Sequence, residues 1–462
     1  MSFDELVESI RNGPSGRTIG AVFDYRAVVD RVERGPTKAR ADDFQAWAGC
    51  SEDAVRKAGQ RRFNEDVAAG LFHGMWGLVR AHINRGHTVV LVASEPWFDV
   101  EPLARELGVE HLLCTELEAE QGVLTGRPTG QPLVGLAKST ALREFAAREG
   151  IDLGRSHAYA HSDEDISLLE SVGFAHQVNP APALAQHGIQ TGWTTLEFRG
   201  RRDNHNPIPV VRTAAMYGSL VAAAGAGFAT GVAARNRRRG VDVATWLFGR
   251  AGTSLGNISV DLIGAEHLWS QRPAVFFANH QSTLIDVLVT ARILRQGFTI
   301  VAKAEVRQMP VIGKLFELAD VAFVDRGNTA SAISALQPAV DKLRSGTSIA
   351  MSPEGTRSVT PTIGQFKKGG FHLARDAEVP IVPIVIRNAG EIMWRNARIA
   401  QSGTVEVTVH EPVPTAGWTR EDIEPWLNRM RELYIDTLDD WPGIQAGQRW
   451  SKAIANSTAK EY

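Results

Sequence analysis

Two short blocks hold the residues best suited to chemistry. The first, Asn279-His280-Gln281-Ser282, closes an apolar run at residues 274–278, and Asp286 follows where a helix can begin. An imidazole at the tip of a buried strand, with a carboxylate shortly beyond it, has the composition of a general base and its orienting acid. The hydroxyls of Ser282 and Thr283 are alternative nucleophiles. The second block, Glu354-Gly355-Thr356-Arg357-Ser358, follows the apolar run 348–351 and precedes Phe366-Lys367-Lys368-Gly369-Gly370. A loop that offers backbone amides, a hydroxyl and a guanidinium suits a phosphate monoester.

The elements that must position these groups are short buried strands. Lys303 follows the strand candidate at 298–301, and Arg326 follows the one at 321–324. With the runs before His280 and Glu354, four strand ends point toward one cleft. A fifth apolar run, 379–385, completes a plausible sheet.

In the order of these motifs, residues 256–415 resemble the glycerophospholipid acyltransferase family that makes phosphatidic acid from lysophosphatidic acid. His280 and Asp286 stand at that family's His-Asp pair, Arg326 at its second motif, Glu354 through Ser358 at its third, and Val379 to Pro383 at its fourth. One departure is the five residues between His280 and Asp286, where the family has four. The resemblance implies that His280, oriented by Asp286, takes the proton from the lysolipid hydroxyl as that oxygen attacks an acyl thioester. Transfer is then direct, with acyl-CoA or acyl carrier protein as donor and no metal or other cofactor. It further implies that Lys303, Arg326 and Arg357 hold the acceptor phosphate beside Thr356. Glu354 would orient Arg357 or the acceptor, and amides near Gly355 would serve the thioester oxyanion.

Such an acceptor lives in a membrane. Residues 213–234 carry no charge and are followed by Arg235-Asn236-Arg237-Arg238-Arg239 and a second apolar stretch at 243–248. In helical form the first stretch is long enough for a hydrocarbon core of about 30 Å. Its Ala and Gly content, with Gly227 and Gly231 at GxxxG spacing, favours a shallow or re-entrant anchor over one full span. The arginines place it on the cytoplasmic face of the inner membrane. The resemblance extends to the helix pair that precedes the catalytic domain in bacterial members.

The rest of the composition is that of an ordinary globular protein: 44% hydrophobic, 22% charged, net formal charge −2. That charge gives no reason to expect nucleic acid as a partner. The two cysteines, Cys50 and Cys114, imply neither a disulfide framework nor a cysteine metal site and fit a reducing compartment. The acidic N-terminus has no apolar core and is not expected to be a secretory signal.

Residues 17–197 have a pattern of their own. An apolar run ends at Asp24, a charge-rich helical stretch reaches residue 85, and strands follow at 88–92 and near 158–160, with Lys138 opening a helix and Asp163-Glu164-Asp165 opening another. Strands that alternate with helices predict a doubly wound α/β domain with a helical insert. The order resembles the haloacid-dehalogenase (HAD) phosphatase superfamily, in its phosphoserine-phosphatase-like branch.

The resemblance also shows what is missing. Asp24 stands at the nucleophile, but Arg26 replaces the acid-base aspartate, and an arginine stays protonated. Ala93 aligns with the phosphate-binding hydroxyl, Ser94 lies one residue along, and Lys138 matches the third motif. In the fourth motif His161 replaces the first magnesium-binding aspartate, while Asp165 keeps the second. Magnesium favours carboxylate oxygens, so the reading is a retained scaffold without phosphatase turnover or metal. A phosphorylated ligand or a protein partner is an open use for it.

The predicted organisation is α/β throughout. An N-terminal extension (1–16) leads to the HAD-like domain (17–198, helical cap about 30–85) and to a linker with membrane-associated helices (199–255). The acyltransferase domain (256–415) and a C-terminal helical segment and tail (416–462) complete it.

Overall fold

The computed structural model describes residues 1–30, 44–198, 207–282, 284–303, 308, 313, 314, 317, 321–324 and 336–458. They form two compact units, Met1–Asp203 and Asn204–Tyr462.

The first unit is built on a parallel sheet of β1 (Ile19–Asp24), β2 (Thr88–Pro96), β3 (His111–Thr115), β6 (Asp152–Ala160), β7 (Phe174–Val178) and β8 (Thr194–Leu196). The order is β3-β2-β1-β6-β7-β8. Every residue of β1 is buried, as expected of a central parallel strand covered on both faces. The chain leaves β1 in one direction and returns on its other side, so Asp24 ends the strand at the point where strand order reverses. Helices Glu52–Arg62 and His73–Asn84 occupy the stretch between β1 and β2.

A hairpin of β4 (Leu117–Glu120) and β5 (Val123–Pro128) adds a piece the sequence reading did not foresee. Its two-residue turn, Gln121-Gly122, has positive φ at both positions (51° and 80°), the geometry of a tight hairpin. Gln-Gly lacks the Asn-Gly or Asp-Gly signature that announces such turns. Leu117 and Leu124 bury themselves with Phe44, Val55 and Phe98.

Strands β6 and β7 carry part of a largely buried set of imidazoles. His82 Nε2 is 2.9 Å from the Tyr159 hydroxyl and its Nδ1 is 2.8 Å from His87 Nδ1. His157 Nδ1 is 3.1 Å from His176 Nε2, and the two rings stack at 5.4 Å.

The second unit holds a seven-stranded sheet in the order β12-β11-β13-β10-β14-β15-β9. Its strands are β9 (Ile258–Ile263), β10 (Val275–Ala278), β11 (Phe298–Lys303), β12 (Ala322–Val324), β13 (Ser348–Met351), β14 (Ile381–Ile386) and β15 (Gly403–Val409). Only the β14–β15 pairing is antiparallel. The central β10 places the chain that carries His280 at the carboxyl edge of the sheet.

Pro383 lies in β14 beside Phe277 and has no amide to donate. The hydroxyl of Tyr434, on the helix Ile423–Asp439, enters there: it accepts from Ile384 N at 3.2 Å and donates to Phe277 O at 2.8 Å.

Two helices, Ile208–Ala233 and Arg237–Gly256, form a hairpin on the same unit. Glycine makes their close approach possible: a Cβ on Gly227 would lie 2.5 Å from the Gly240 carbonyl oxygen and 2.6 Å from Ala244 Cβ. Thr213, Met216, Ser219, Ala223 and Gly227 form the buried face of the first helix. Val211, Val221, Phe228 and Val232 remain more than 60% exposed. By length and composition this is the one described helix that can cross a bilayer. Of the arginines at the turn and the start of the second helix, Arg238 turns back onto the protein, donating to Thr347 Oγ1 at 2.8 Å, and Arg237 donates to the Glu317 carbonyl. Arg235 and Arg239 are exposed.

Candidate active site

His280 is fixed from several sides. Its amide donates to Glu354 Oε1 at 3.0 Å, and its carbonyl accepts from Ser358 N at 2.7 Å. The residues on either side pin it to the end of β14. Asn279 extends the ladder by exchanging two 2.7 Å hydrogen bonds with the Ile386 backbone, and Gln281 holds Arg387 O and Gly390 N at 3.2 and 3.1 Å. Sequence reasoning gave neither residue a role. Amide side chains bordering a histidine just past a strand end were the available signal.

The imidazole Nδ1 lies 2.6 Å from Asp286 Oδ2. The same oxygen accepts the amides of Gln281 and Ser282 at 2.9 and 2.8 Å. The additional residue between His280 and Asp286 is therefore absorbed before the helix Leu284–Leu294, whose first turn carries the carboxylate. Thr283 lies outside the described residues. Ser282 is fully buried, and its hydroxyl accepts from Ile285 N at 3.4 Å in the manner of a helix cap. With Nδ1–H directed at the carboxylate, Nε2 carries the lone pair, and no described residue hydrogen-bonds to it. About 30% of the His280 side chain reaches solvent, against 8% for Asp286. The pair can thus accept a proton from a hydroxyl presented at the cleft.

Glu354 has a role beyond the expected one of orienting Arg357 or the acceptor: besides His280 N, its carboxylate accepts Ser358 Oγ at 2.8 Å and Gly364 N at 2.9 Å. Burial pushes its pKa above the ordinary carboxylate value despite those three donors. The Gly355 amide is also committed, donating to Ser352 O at 3.3 Å, so it is not aimed at an oxyanion. Thr356 is exposed at the loop tip. Arg357 Nη1 donates to the carbonyl of Arg395 at 2.6 Å, and Arg395 Nη1 donates to that of Arg357 at 3.2 Å. Lys303 ends β11, with its side chain outside the described residues, and Arg326 lies outside them altogether. Lys368 pairs with Glu424.

In the first unit the structure brings Asp24, Lys138 and Asp165 together. Lys138 Nζ donates to Asp24 Oδ2 at 2.6 Å and to Asp165 Oδ1 at 2.8 Å, with all three side chains at most 5% exposed. Burial disfavours the ammonium, but the two carboxylates outweigh it and hold Lys138 above its ordinary pKa. Burial and then the charge of Asp24 push Asp165 up to about 6, against the pull of Lys138. Arg26 points away to a salt bridge with Glu95 at 3.0 Å, while its amide caps Asp24 Oδ1 at 2.9 Å. Ser94 is buried, its carbonyl accepting from Thr115 Oγ1 at 3.1 Å. His161 Nδ1 is 3.1 Å from Val178 O. The magnesium that the HAD fold implies does not suit this donor set. Both Asp24 oxygens are engaged, one of them by the Lys138 ammonium, which also holds Asp165, and a histidine stands where a carboxylate is needed.

Comparison with known proteins agrees with this division. Residues 259–387 match the acyltransferase family model, and residues 2–170 match that of haloacid dehalogenase-like hydrolases. An uncharacterized acyltransferase of Schizosaccharomyces pombe is 35% identical over 204 residues, covering 43% of this chain and 72% of that one. The 1-acyl-sn-glycerol-3-phosphate acyltransferase of Saccharomyces cerevisiae is 32% identical over 186 residues, 40% of this chain and 61% of that enzyme. The chain thus spans less than two thirds of the yeast enzyme's length. The crystal structure of the 1-acyl-sn-glycerophosphate acyltransferase of Thermotoga maritima aligns with a TM-score of 0.43 and 22% identity, over 50% of this chain and 96% of that one.

The chain belongs to the acyltransferase family, through the residues of its second unit. Its first unit is HAD-like, so the two are fused in one polypeptide.

Proposed function

We propose that the second unit moves an acyl chain from an acyl thioester, acyl-CoA or acyl carrier protein, to the free hydroxyl of lysophosphatidic acid and so makes phosphatidic acid. The observation that carries this reading is the His280 Nδ1 to Asp286 Oδ2 contact of 2.6 Å, set directly against the loop Glu354 to Ser358. His280 Nε2 removes the hydroxyl proton as the oxygen attacks the thioester carbon, and the imidazolium formed is stabilised by Asp286. The proton then passes to the departing thiolate. Arg357, with Lys303 and Arg326, holds the acceptor phosphate. The names of the relatives support this acceptor; glycerol 3-phosphate or another lipid alcohol is the alternative.

The exposed apolar face of the helix Ile208–Ala233 meets the inner membrane from its cytoplasmic side, with Arg235 and Arg239 at the headgroups. The first unit is a scaffold without phosphatase turnover, supported by the Asp24–Lys138–Asp165 cluster and by Arg26 and His161. A bifunctional phosphatase and acyltransferase is the competing reading.

Transfer of a labelled acyl chain from acyl-CoA to lysophosphatidic acid by the detergent-purified protein, with His280→Ala alongside, tests the proposal. Activity in the wild type and its loss in the variant are expected. Turnover unaffected by His280→Ala overturns the mechanism, and release of phosphate from a generic monoester with magnesium overturns the scaffold reading.

A further inference from the structure

His280 is also held from a helix that carries none of the motifs. Beyond Glu354 the chain runs through a loop to Lys367, whose amide returns to Pro353 O at 2.7 Å. Midway, the peptide unit that joins Ile363 to Gly364 is gripped at both ends. Its carbonyl accepts from Arg431 Nη2 at 3.1 Å, and its N–H donates to Glu354 Oε2 at 2.9 Å. Arg431 Nε donates to the next carbonyl, that of Gly364, at 3.0 Å, so one edge of the guanidinium fixes two successive peptide planes. Glycine suits this approach, because a Cβ on Gly364 would lie 3.1 Å from the same Glu354 oxygen.

A trans peptide unit is planar, and its C=O and N–H point in opposite directions. A cation at the carbonyl therefore aims the N–H and strengthens it as a donor. The hydrogen-bonded path to the histidine is continuous: Arg431 donates to Ile363 O, Gly364 N donates to Glu354 Oε2, and the His280 amide donates to Glu354 Oε1 at 3.0 Å. The helix Ile423–Asp439 reaches the histidine a second way. Three residues beyond Arg431 on the same helix face, Tyr434 donates to Phe277 O in the strand before His280, and its ring meets Phe366 of the loop edge-on at 5.2 Å.

We propose that Arg431 is a positioning residue for acyl transfer, setting the place of His280 through Gly364 and Glu354 without touching either substrate. This rests on the reading of the second unit as an acyltransferase with His280 as its base. The planar fork matters as much as the charge, because only a guanidinium can serve two successive carbonyls from one edge.

The test uses the full chain in detergent, with lysophosphatidic acid and acyl-CoA each varied and all assays run below the melting temperature of every variant. The variants are Arg431→Gln, Arg431→Lys, Gly364→Ala, Glu354→Gln and the double variant Arg431→Gln/Glu354→Gln. In Arg431→Gln kcat should fall about tenfold with both KM values within about twofold of wild type, the signature of a misplaced base with binding retained. Arg431→Lys should recover part of kcat, since an ammonium still donates to one of the two carbonyls. Gly364→Ala, which crowds Glu354 while Arg431 is intact, should show the same split and carries the test if Arg431→Gln does not fold. The double variant should turn over no more slowly than the slower single one, because both substitutions act on one path. A folded Arg431→Gln or Gly364→Ala with unchanged kcat, a loss confined to KM, or losses that multiply in the double variant each overturns the assignment while leaving the acyltransferase reading in place. A wild type inactive on lysophosphatidic acid overturns that reading, and the assignment with it.

Discussion

Glu354 holds the backbone of His280 and leaves the ring to Asp286: its Oε1 accepts the His280 amide at 3.0 Å, while Nδ1 lies 2.6 Å from the aspartate. The two carboxylates around this histidine thus have separate tasks. One fixes where the residue sits, and the other fixes how the imidazole is turned.

Glu354→Gln should therefore act on turnover. Whichever way the amide is placed, its NH2 faces a buried N–H, that of Gly364 or that of His280, which loses its acceptor at a cost of roughly 1–3 kcal/mol. We expect kcat to fall about tenfold, at roughly 1.4 kcal/mol per decade, with the lysophosphatidic acid KM little changed. A rise in that KM alone would show that Glu354 touches the acceptor.

Asp286→Asn removes the charge that stabilises the imidazolium and disturbs an oxygen that accepts three donors. Single-turnover rates should drop by roughly 10²–10⁴-fold, as for loss of a positioned base. An Asn variant within threefold of wild type would assign Asp286 to helix capping alone.

Lys138→Met leaves Asp24 and Asp165 buried together without their cation. Breaking such a cluster costs about 3–5 kcal/mol. The loss should be largest at pH 8 and smaller at pH 5, because Asp165, already pushed up to about 6, takes a proton there and relieves the repulsion. Calorimetric melting at the two pH values measures the difference; a loss independent of pH would mean that the carboxylates are not what the lysine serves.

The buried imidazoles set an opposite dependence in the intact protein. Burial draws His157 down to about 4 and His176 to about 3, below the value near 6.5 of an unfolded chain. The unfolded state then binds more protons across that window, so this stabilisation is complete above about pH 6.5 and is lost as the pH falls. Asp165 works the other way, losing stability as pH rises toward about 6, and offsets part of the change. The melting temperature of the first unit should fall between pH 7.5 and 5. Replacing His157 and His176 by Phe should flatten the slope, and an unchanged slope would place its origin elsewhere.

Much of this was legible in the sequence because it is written as runs that end in chemistry: apolar strands before Asp24, His280 and Glu354, whose ends the structure places at sheet edges. What was not legible depends on who meets whom across the fold. The sequence suggests that Glu354 orients Arg357 or the acceptor, and only the fold shows its carboxylate accepting from His280, Ser358 and Gly364. The amides near Gly355 are expected to serve an oxyanion, and only the fold shows that the Gly355 amide itself makes a local turn bond to Ser352. Arg395 stands in a loop with no motif, and only the folded chain returns it to Arg357. The hairpin at Gln121-Gly122 was missed because backbone twist can impose left-handed geometry on a residue that does not advertise it.

Tyr434 has a practical implication for anyone wishing to dissect this polypeptide. Its hydroxyl bridges Phe277 and Ile384 across the two central strands just beneath the histidine. A truncation after the last strand, attractive because the motifs are already behind it, would withdraw that bridge and open a polar gap in the sheet. The helix Ile423–Asp439 is better treated as an internal brace of the catalytic body that happens to be encoded late, and shortening experiments should spare it.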